Sequence, residues 1–184
     1  MALTESTMLE LGTTAPDFSL PDVVSGKTVS RDDLRGKPLL VLFICTHCPY
    51  VKHIEKGIAQ LGADYAARPI NIAAISSNDA ENYPDDCPEG LRRQAQRLGF
   101  RFPYLYDETQ QVARAFKAAC TPDIYLFDSK LELVYRGQFD QSRPGNCIPV
   151  TGHDLRAAID EVLSNREVTQ DQSPSIGCNI KWKS

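Results

Sequence analysis

The chain has 184 residues and a mass of 20.4 kDa, enough for one domain with appendages and a core of ordinary size. It is 42% hydrophobic and 24% charged with a formal net charge of −4, the composition of a soluble globular protein without the basic footprint of a nucleic-acid binder. No apolar run reaches the ~20 residues a bilayer-spanning helix needs, and the opening MALTESTMLELGTTAPDF lacks the basic and apolar regions of an export signal, so a cytoplasmic protein is expected.

Residues 18–20 and 28–30 flank a turn-like stretch containing Gly26 and read as a hairpin. LLVLFIC, 39–45, is a continuous apolar run of strand length, as a strand buried on both faces requires. After Pro49 the period changes: Val51, Ile54, Ile58 and Leu61 form one stripe of a helix, with the proline in its first turn. INIAAIS, 70–76, is a second buried strand; the polar loop SNDAENYPDDCPEG follows, and its charged part DAENYPDD, 79–86, reads as solvated surface with some order from Tyr83-Pro84. A helix is expected over 91–98, stopped by Gly99; a short strand or turn over 103–107; and another helix over 109–118. Segments 123–128 and 131–137 are strands joined by a tight turn at Ser129-Lys130, and 152–163 is the last helix. After a polar linker, 165–175, Ile176, Cys178, Ile180 and Trp182 alternate with polar residues and glycine, which predicts a half-buried strand. The expected organisation is a domain over 1–164 with a linker and docked tail over 165–184. Its fold class is α/β, a central sheet of parallel and antiparallel strands with helices on both faces. Chemistry in such sheets gathers at the carboxyl ends of strands, and Cys45 ends the strand expected at the centre.

Six cysteines, at 45, 48, 87, 120, 147 and 178, are many for a reducing compartment, where disulfides are mostly transient and catalytic. Cys45-Thr46-His47-Cys48 stands at a strand-to-helix junction. With Cys45 at the helix start, Cys48 follows one turn later, close enough for a disulfide. The partial positive charge of the helix N-terminus and the neighbouring His47 both favour a thiolate. Cys45 is therefore expected to attack and Cys48 to resolve. Two buried cysteines acting as small hydrophobes are the plainer alternative. Thr121-Pro122, directly before a core strand, is a candidate cis peptide or a trans proline opening the strand. Cys178 is either packed or a distal resolving thiol, and Cys120 is a further candidate thiol. Cys87 and Cys147 carry no motif. His53 reads as solvent-facing and His153 as part of a helix-capping region, so neither suggests a metal site.

Several segments together resemble the AhpC/TSA group of the thioredoxin-like superfamily, in its peroxiredoxin-like branch. They are Gly12-x-x-Ala15-Pro16-Asp17-Phe18 with Leu20 and Gly26, CTHCPYVKHIE, SSNDAENYPDDCPE, FPYLYDET, CTPDIYLFD, LVYRGQFDQSRPGN, PVTGHDLR and IGCNIKWK. The resemblance implies a thioredoxin-like fold with a cis proline, Pro122, opposite the cysteine pair. It also implies that Thr46 and His47 tune the redox poise toward the oxidising side. The threonine position of the peroxiredoxin Thr-x-x-Cys motif holds Cys45 here, and thioredoxin's tryptophan before the first cysteine is Ile44. Arg136 and Arg143 are candidates for the arginine that stabilises a peroxidatic thiolate.

The leading expectation is a thiol–disulfide oxidoreductase that needs no cofactor. Its partners would be protein or low-molecular-weight disulfides and thiols, not nucleic acid or membrane. A thiol peroxidase acting on hydroperoxides is the second reading. A metal- or copper-handling module, with His47 or His153 beside the thiols, is the third. Oligomeric state is open.

Overall fold

The computed structural model describes residues 3–183; residues 1, 2 and 184, the ends of the two expected units, lie outside them. Its centre is set by β4 (Leu39–Phe43), whose five side chains are all buried. Parallel to it runs β5 (Asn71–Ser76), with β6 (Tyr104–Tyr106) beyond. On the other side β8 (Asp123–Phe127) and β9 (Leu133–Arg136) follow antiparallel, giving the order β6-β5-β4-β8-β9. This is the mixed α/β sheet expected from the sequence.

Alternation along β4 divides the interior in two, because successive side chains in a strand point to opposite faces. Leu40, Leu42 and Ile44 join α1 (Pro49–Asp64), α2 (Pro88–Leu98) and α4 (His153–Leu163) in one core. Leu39, Val41 and Phe43 join α3 (Gln111–Ala115) and the hairpin of β2 (Ser19–Pro21) and β3 (Thr28–Ser30) in the other. Helices thus cover both faces, and β4 has no exposed side.

Three differences from the expected elements have local causes. α2 begins at Pro88, three residues early, since proline is suited to a first turn. α3 is shorter than 109–118 because Gln110 and Lys117 both take positive φ and close its ends. β9 starts after 131 because Leu131 also has positive φ, in a turn where Asp128 Oδ1 accepts from the Lys130 and Glu132 N–H groups.

A second sheet holds the tail. β1 (Leu3–Glu5), β10 (Ile176–Asn179) and β7 (Cys120–Thr121) pair antiparallel in the order β1-β10-β7. The linker before β10 is irregular but tied down: Gln172 donates to Val134 O, and Ser175 Oγ donates to Pro122 O at 2.6 Å. Among the described residues, no helix is long and apolar enough to cross a membrane.

Candidate active site

Chain geometry brings the two cysteines together just beyond the carboxyl end of β4. The helix starts at Pro49, not at Cys45, so Cys48 is its N-cap residue in extended conformation and Cys45 lies in the preceding turn. This corrects the expected placement, and the signal was legible: proline favours the first helical position, which makes the residue before it the cap. Cys45 and Cys48 are 1% and 0% exposed, and their thiols are hydrogen-bonded to each other.

Electrostatics separates the two. The hydrogen bond from Cys45 is the largest influence on Cys48 and lowers it, against burial; the Cys178 thiol and the Val51 and Cys178 N–H groups act in the same direction, and the thiol falls to about 4. The Val51 N–H acts without regular side-chain capping geometry. Thr121 O, 3.1 Å from Cys48 Sγ, favours the protonated form, but the donors outnumber this one acceptor. Cys45 moves well upward, first through burial, then through its bond to Cys48 and the negative charge of Asp86. The thiolate therefore belongs to Cys48, the reverse of what helix position alone suggested for Cys45.

Around the pair, β7 and the polar loop after β5 supply the walls. The Thr121–Pro122 peptide is cis, and Thr121 Oγ1 lies 3.4 Å from Cys45 Sγ. Asp86 organises the two inner residues of the motif. Its Oδ1 accepts from Thr46 N at 2.7 Å and Thr46 Oγ1 at 2.6 Å, while Oδ2 pairs with His47 Nδ1 at 2.6 Å and accepts from Asn78 Nδ2 at 2.8 Å. Burial raises Asp86, but the bonds from His47, Thr46 and Asn78 outweigh it and the carboxyl ends below its usual range. His47 also stacks on Tyr83, ring centroids 5.2 Å apart. The loop expected to be solvated surface is thus partly interior: Asp79 and Asp86 are buried, as is Asn78 just before it. Asp86 is the residue that sequence reasoning missed, because its charge in a run of acidic residues resembles surface.

A second buried network fixes Cys45 from behind. Gln94 Nε2 donates to Cys45 O at 3.2 Å and to Glu55 Oε2, and Gln94 Oε1 accepts from Tyr104 OH. Arg97 closes this network on Glu55 with two bonds. Neither of the expected arginines reaches a sulfur. Arg136 is tied to Leu9 O and Gln172, and Arg143 to Asp140 O, Ser142 O and Gln138. Cys45, His47 and Asp86 present ligand atoms within 4.8 Å of one another. The Asp86 oxygens, however, are already filled by the hydrogen bonds above.

The remaining cysteines and histidines divide cleanly. Cys178, on β10, reaches Cys48. Cys120 points the other way, its thiol donating to Pro122 O at 3.4 Å, and burial pushes it far up; this is the environment of a packing residue. Cys147 is exposed and Cys87 half-buried at the start of α2. His53 is not solvent-facing as expected: it is half-buried on α1, its Nε2 enclosed. His153 opens α4, its N–H donating to Thr151 Oγ1, as a capping region predicts.

Comparison with known proteins follows the same line. The AhpC/TSA family pattern matches residues 11–136, more than half of the chain. The thiol-disulfide oxidoreductase ResA of Geobacillus kaustophilus is 28% identical over 130 residues, 71% of this chain and 70% of that protein. The crystal structure of an uncharacterized conserved protein from the same species is 52% identical, with a TM-score of 0.97 over 100% of this chain and 97% of the other. A thiol:disulfide interchange protein of the thioredoxin family from Chlorobium tepidum shares the fold at 20% identity, with a TM-score of 0.64 over 84% of this chain and 98% of its own. The chain is a thioredoxin-like member of the AhpC/TSA family.

Proposed function

We propose that the protein is a thiol–disulfide oxidoreductase whose centre is Cys45-Thr46-His47-Cys48, acting on protein or low-molecular-weight disulfides and thiols. The observation that carries this is the hydrogen-bonded thiol pair in which Cys48, at the helix N-terminus, is drawn down to about 4. Only the thiolate is nucleophilic, and an ordinary cysteine is a few per cent ionised at neutral pH. Cys48 attacks one sulfur of a substrate disulfide, the other sulfur leaves as a thiolate, and a mixed disulfide forms. Cys45 then gives up its proton, attacks Cys48 Sγ and expels the second substrate thiolate, leaving the Cys45–Cys48 disulfide. Its high proton affinity belongs to the resting state; the charge on Cys48 that helps to raise it is gone in the mixed disulfide. The AhpC/TSA match and the oxidoreductase name of the ResA relative support the same class. We place the exchange in the cytoplasm, where a pair like this rests as thiols, and cell fractionation checks that.

Trapping tests the order of events. With the neighbouring Cys178 thiol also replaced by serine, Cys45→Ser is expected to accumulate mixed disulfides through Cys48, and Cys48→Ser to lose exchange altogether. Mixed disulfides trapped at Cys45 in Cys48→Ser would reverse the roles, and full activity in that variant would remove the centre.

The acidity of Cys48 also favours a second reading, a thiol peroxidase passing through a sulfenic acid. No arginine bonds Cys48 among the described residues, which weighs against it. Rapid mixing with hydroperoxide decides: consumption of the thiol no faster than that of free cysteine rejects the peroxidase. The clustered ligand atoms of Cys45, His47 and Asp86 are the ground for a metal-handling reading, which stoichiometric metal in reduced protein would establish.

A further inference from the structure

Cys45 and Cys48 are closed off, and what lies over Cys48 is a segment of the same chain. β10 runs antiparallel along the edge of β7, with Cys178 directly opposite Thr121 and Asn179 opposite Cys120. Cys178 is 4% exposed, and its thiol is hydrogen-bonded to Cys48 while its N–H also acts on that sulfur. An extended segment carrying a cysteine, laid on a strand edge beside a thiolate, is the arrangement a disulfide-bearing polypeptide substrate would take there.

We propose that Cys178 is a third redox thiol and that β10 is a tethered partner segment: Cys178 forms a disulfide with Cys48, in competition with Cys45. The inference rests on the exchange reading above. In the mixed disulfide between Cys48 and a substrate sulfur, Cys178 loses its proton and attacks Cys48 Sγ. The Cys48–Cys178 bond forms, the bond to the substrate breaks, and the departing substrate thiolate takes up the proton. One disulfide is consumed and one formed, so electrons balance without another oxidant.

The segment is built to lie where it does. A Cβ on Gly177 would collide with the Thr121 carbonyl oxygen, so only glycine allows β10 this close to the β7 backbone. Beyond Cys178 the tail is anchored by Lys181, whose N–H donates to Asn78 Oδ1 and whose carbonyl accepts from Asp79 N and Gln110 Nε2. Asn78 also bonds Asp86, so tail and motif share one network. Burial first, then the bond to Cys48 and the charge on it, holds the resting Cys178 thiol at about 12. The last two causes vanish once Cys48 is in a disulfide, which frees Cys178 to ionise at the moment it is needed.

The test equilibrates the reduced full-length protein with oxidised glutathione, quenches with acid and an alkylating reagent, and maps linked peptides by mass spectrometry. Cys45→Ser is expected to give the Cys48–Cys178 link, Cys178→Ser the Cys45–Cys48 link, and the double variant a stable glutathione adduct on Cys48. Gly177→Ala in the Cys45→Ser background is expected to lose most of the Cys48–Cys178 link while Cys48 still takes glutathione. If Cys45→Ser stops at the Cys48–glutathione adduct with Cys178 alkylated, the third thiol is rejected and the exchange centre stands. If Cys48 takes up neither glutathione nor Cys178, both fall together.

Discussion

Cys48 is enclosed, yet it is the acidic member of its pair, which inverts the usual effect of burial on a thiol. Donors converging on one sulfur explain the inversion, and the first of them is the Cys45 thiol. Titration of the thiolate ultraviolet absorbance in reduced protein is therefore expected to show one ionisation near 4, and Cys45→Ala to move that midpoint upward by more than a unit. A midpoint that ignores position 45 would show that the helix terminus alone sets the acidity. Asp86 acts one step further out, as a positioning residue. Removing it leaves Thr46 N, the Thr46 hydroxyl, His47 and Asn78 without their shared acceptor, and Asp86→Ala is expected to slow exchange by about a hundredfold, the scale of a small misplacement at a reacting centre. If position alone is at stake, the Cys48 titration midpoint moves less in Asp86→Ala than in Cys45→Ala while the rate falls. Because the Asp86 carboxyl is held below its ordinary value of 3.8, its contribution to stability is complete above that pH and is lost as pH falls through the lower folded value.

At the scale of elements, the tail strand couples the site to the second core. Ile180 follows β10, is 1% exposed, and packs with Ala118, Phe116 and their neighbours; its N–H donates to Ala119 O at 3.1 Å. Truncating it is expected to cost about 2–4 kcal/mol and to loosen β10, so that Ile180→Ala shows faster alkylation of Cys48 than the parent at equal fraction folded. Unchanged alkylation would mean that β10 does not limit access to the sulfur. The alternation at 176–182 predicts this strand because every second residue is apolar, and the unbroken run of β4 is as legible. But β10 ends at Asn179, and beyond it the expected faces fail, Lys181 being buried and Trp182 exposed. β1 and β7 are not legible: at three and two residues they hold no period, and they exist as strands only because β10 lies between them. The cysteine pair was readable from spacing, and Pro49 marks the helix start that makes Cys48 the cap; what the sequence hides is the third thiol, Cys178, which only the folded chain brings near Cys48. His53 shows the same limit, its partial enclosure coming from residues distant in sequence.

For the whole molecule, one dependence on pH comes from a carboxyl away from the solvent. Asp123 opens β8 opposite Phe43 at the end of β4 and is fully buried. Its Oδ2 accepts from Ala119 N at 3.0 Å and Tyr125 OH at 3.1 Å. Burial is the larger influence and raises the group to about 6, these bonds offsetting part of the shift. Between the unfolded value of 3.8 and about 6 the native state holds a proton that the unfolded chain has released. Stability from this group is thus fully present below the lower value and falls as pH rises through the upper one, by about 3 kcal/mol at two units of ~1.4 kcal/mol each. Above about 6 it adds no further slope. Asp86 works in the opposite sense at the acid end, so the two carboxyls together favour a stability maximum in mildly acidic solution. The Cys48 thiol, ionised in the native state above about 4 and protonated in the unfolded chain up to 9.0, adds a slope of opposite sign over the same range. The comparison is therefore made in a Cys48→Ser background, where the urea midpoint is expected to decline from about pH 4 to about pH 6 and Asp123→Asn, which keeps an acceptor for Ala119 N, is expected to flatten the decline. An equal slope in the variant would assign the pH dependence elsewhere and leave Asp123 ionised in the native sheet.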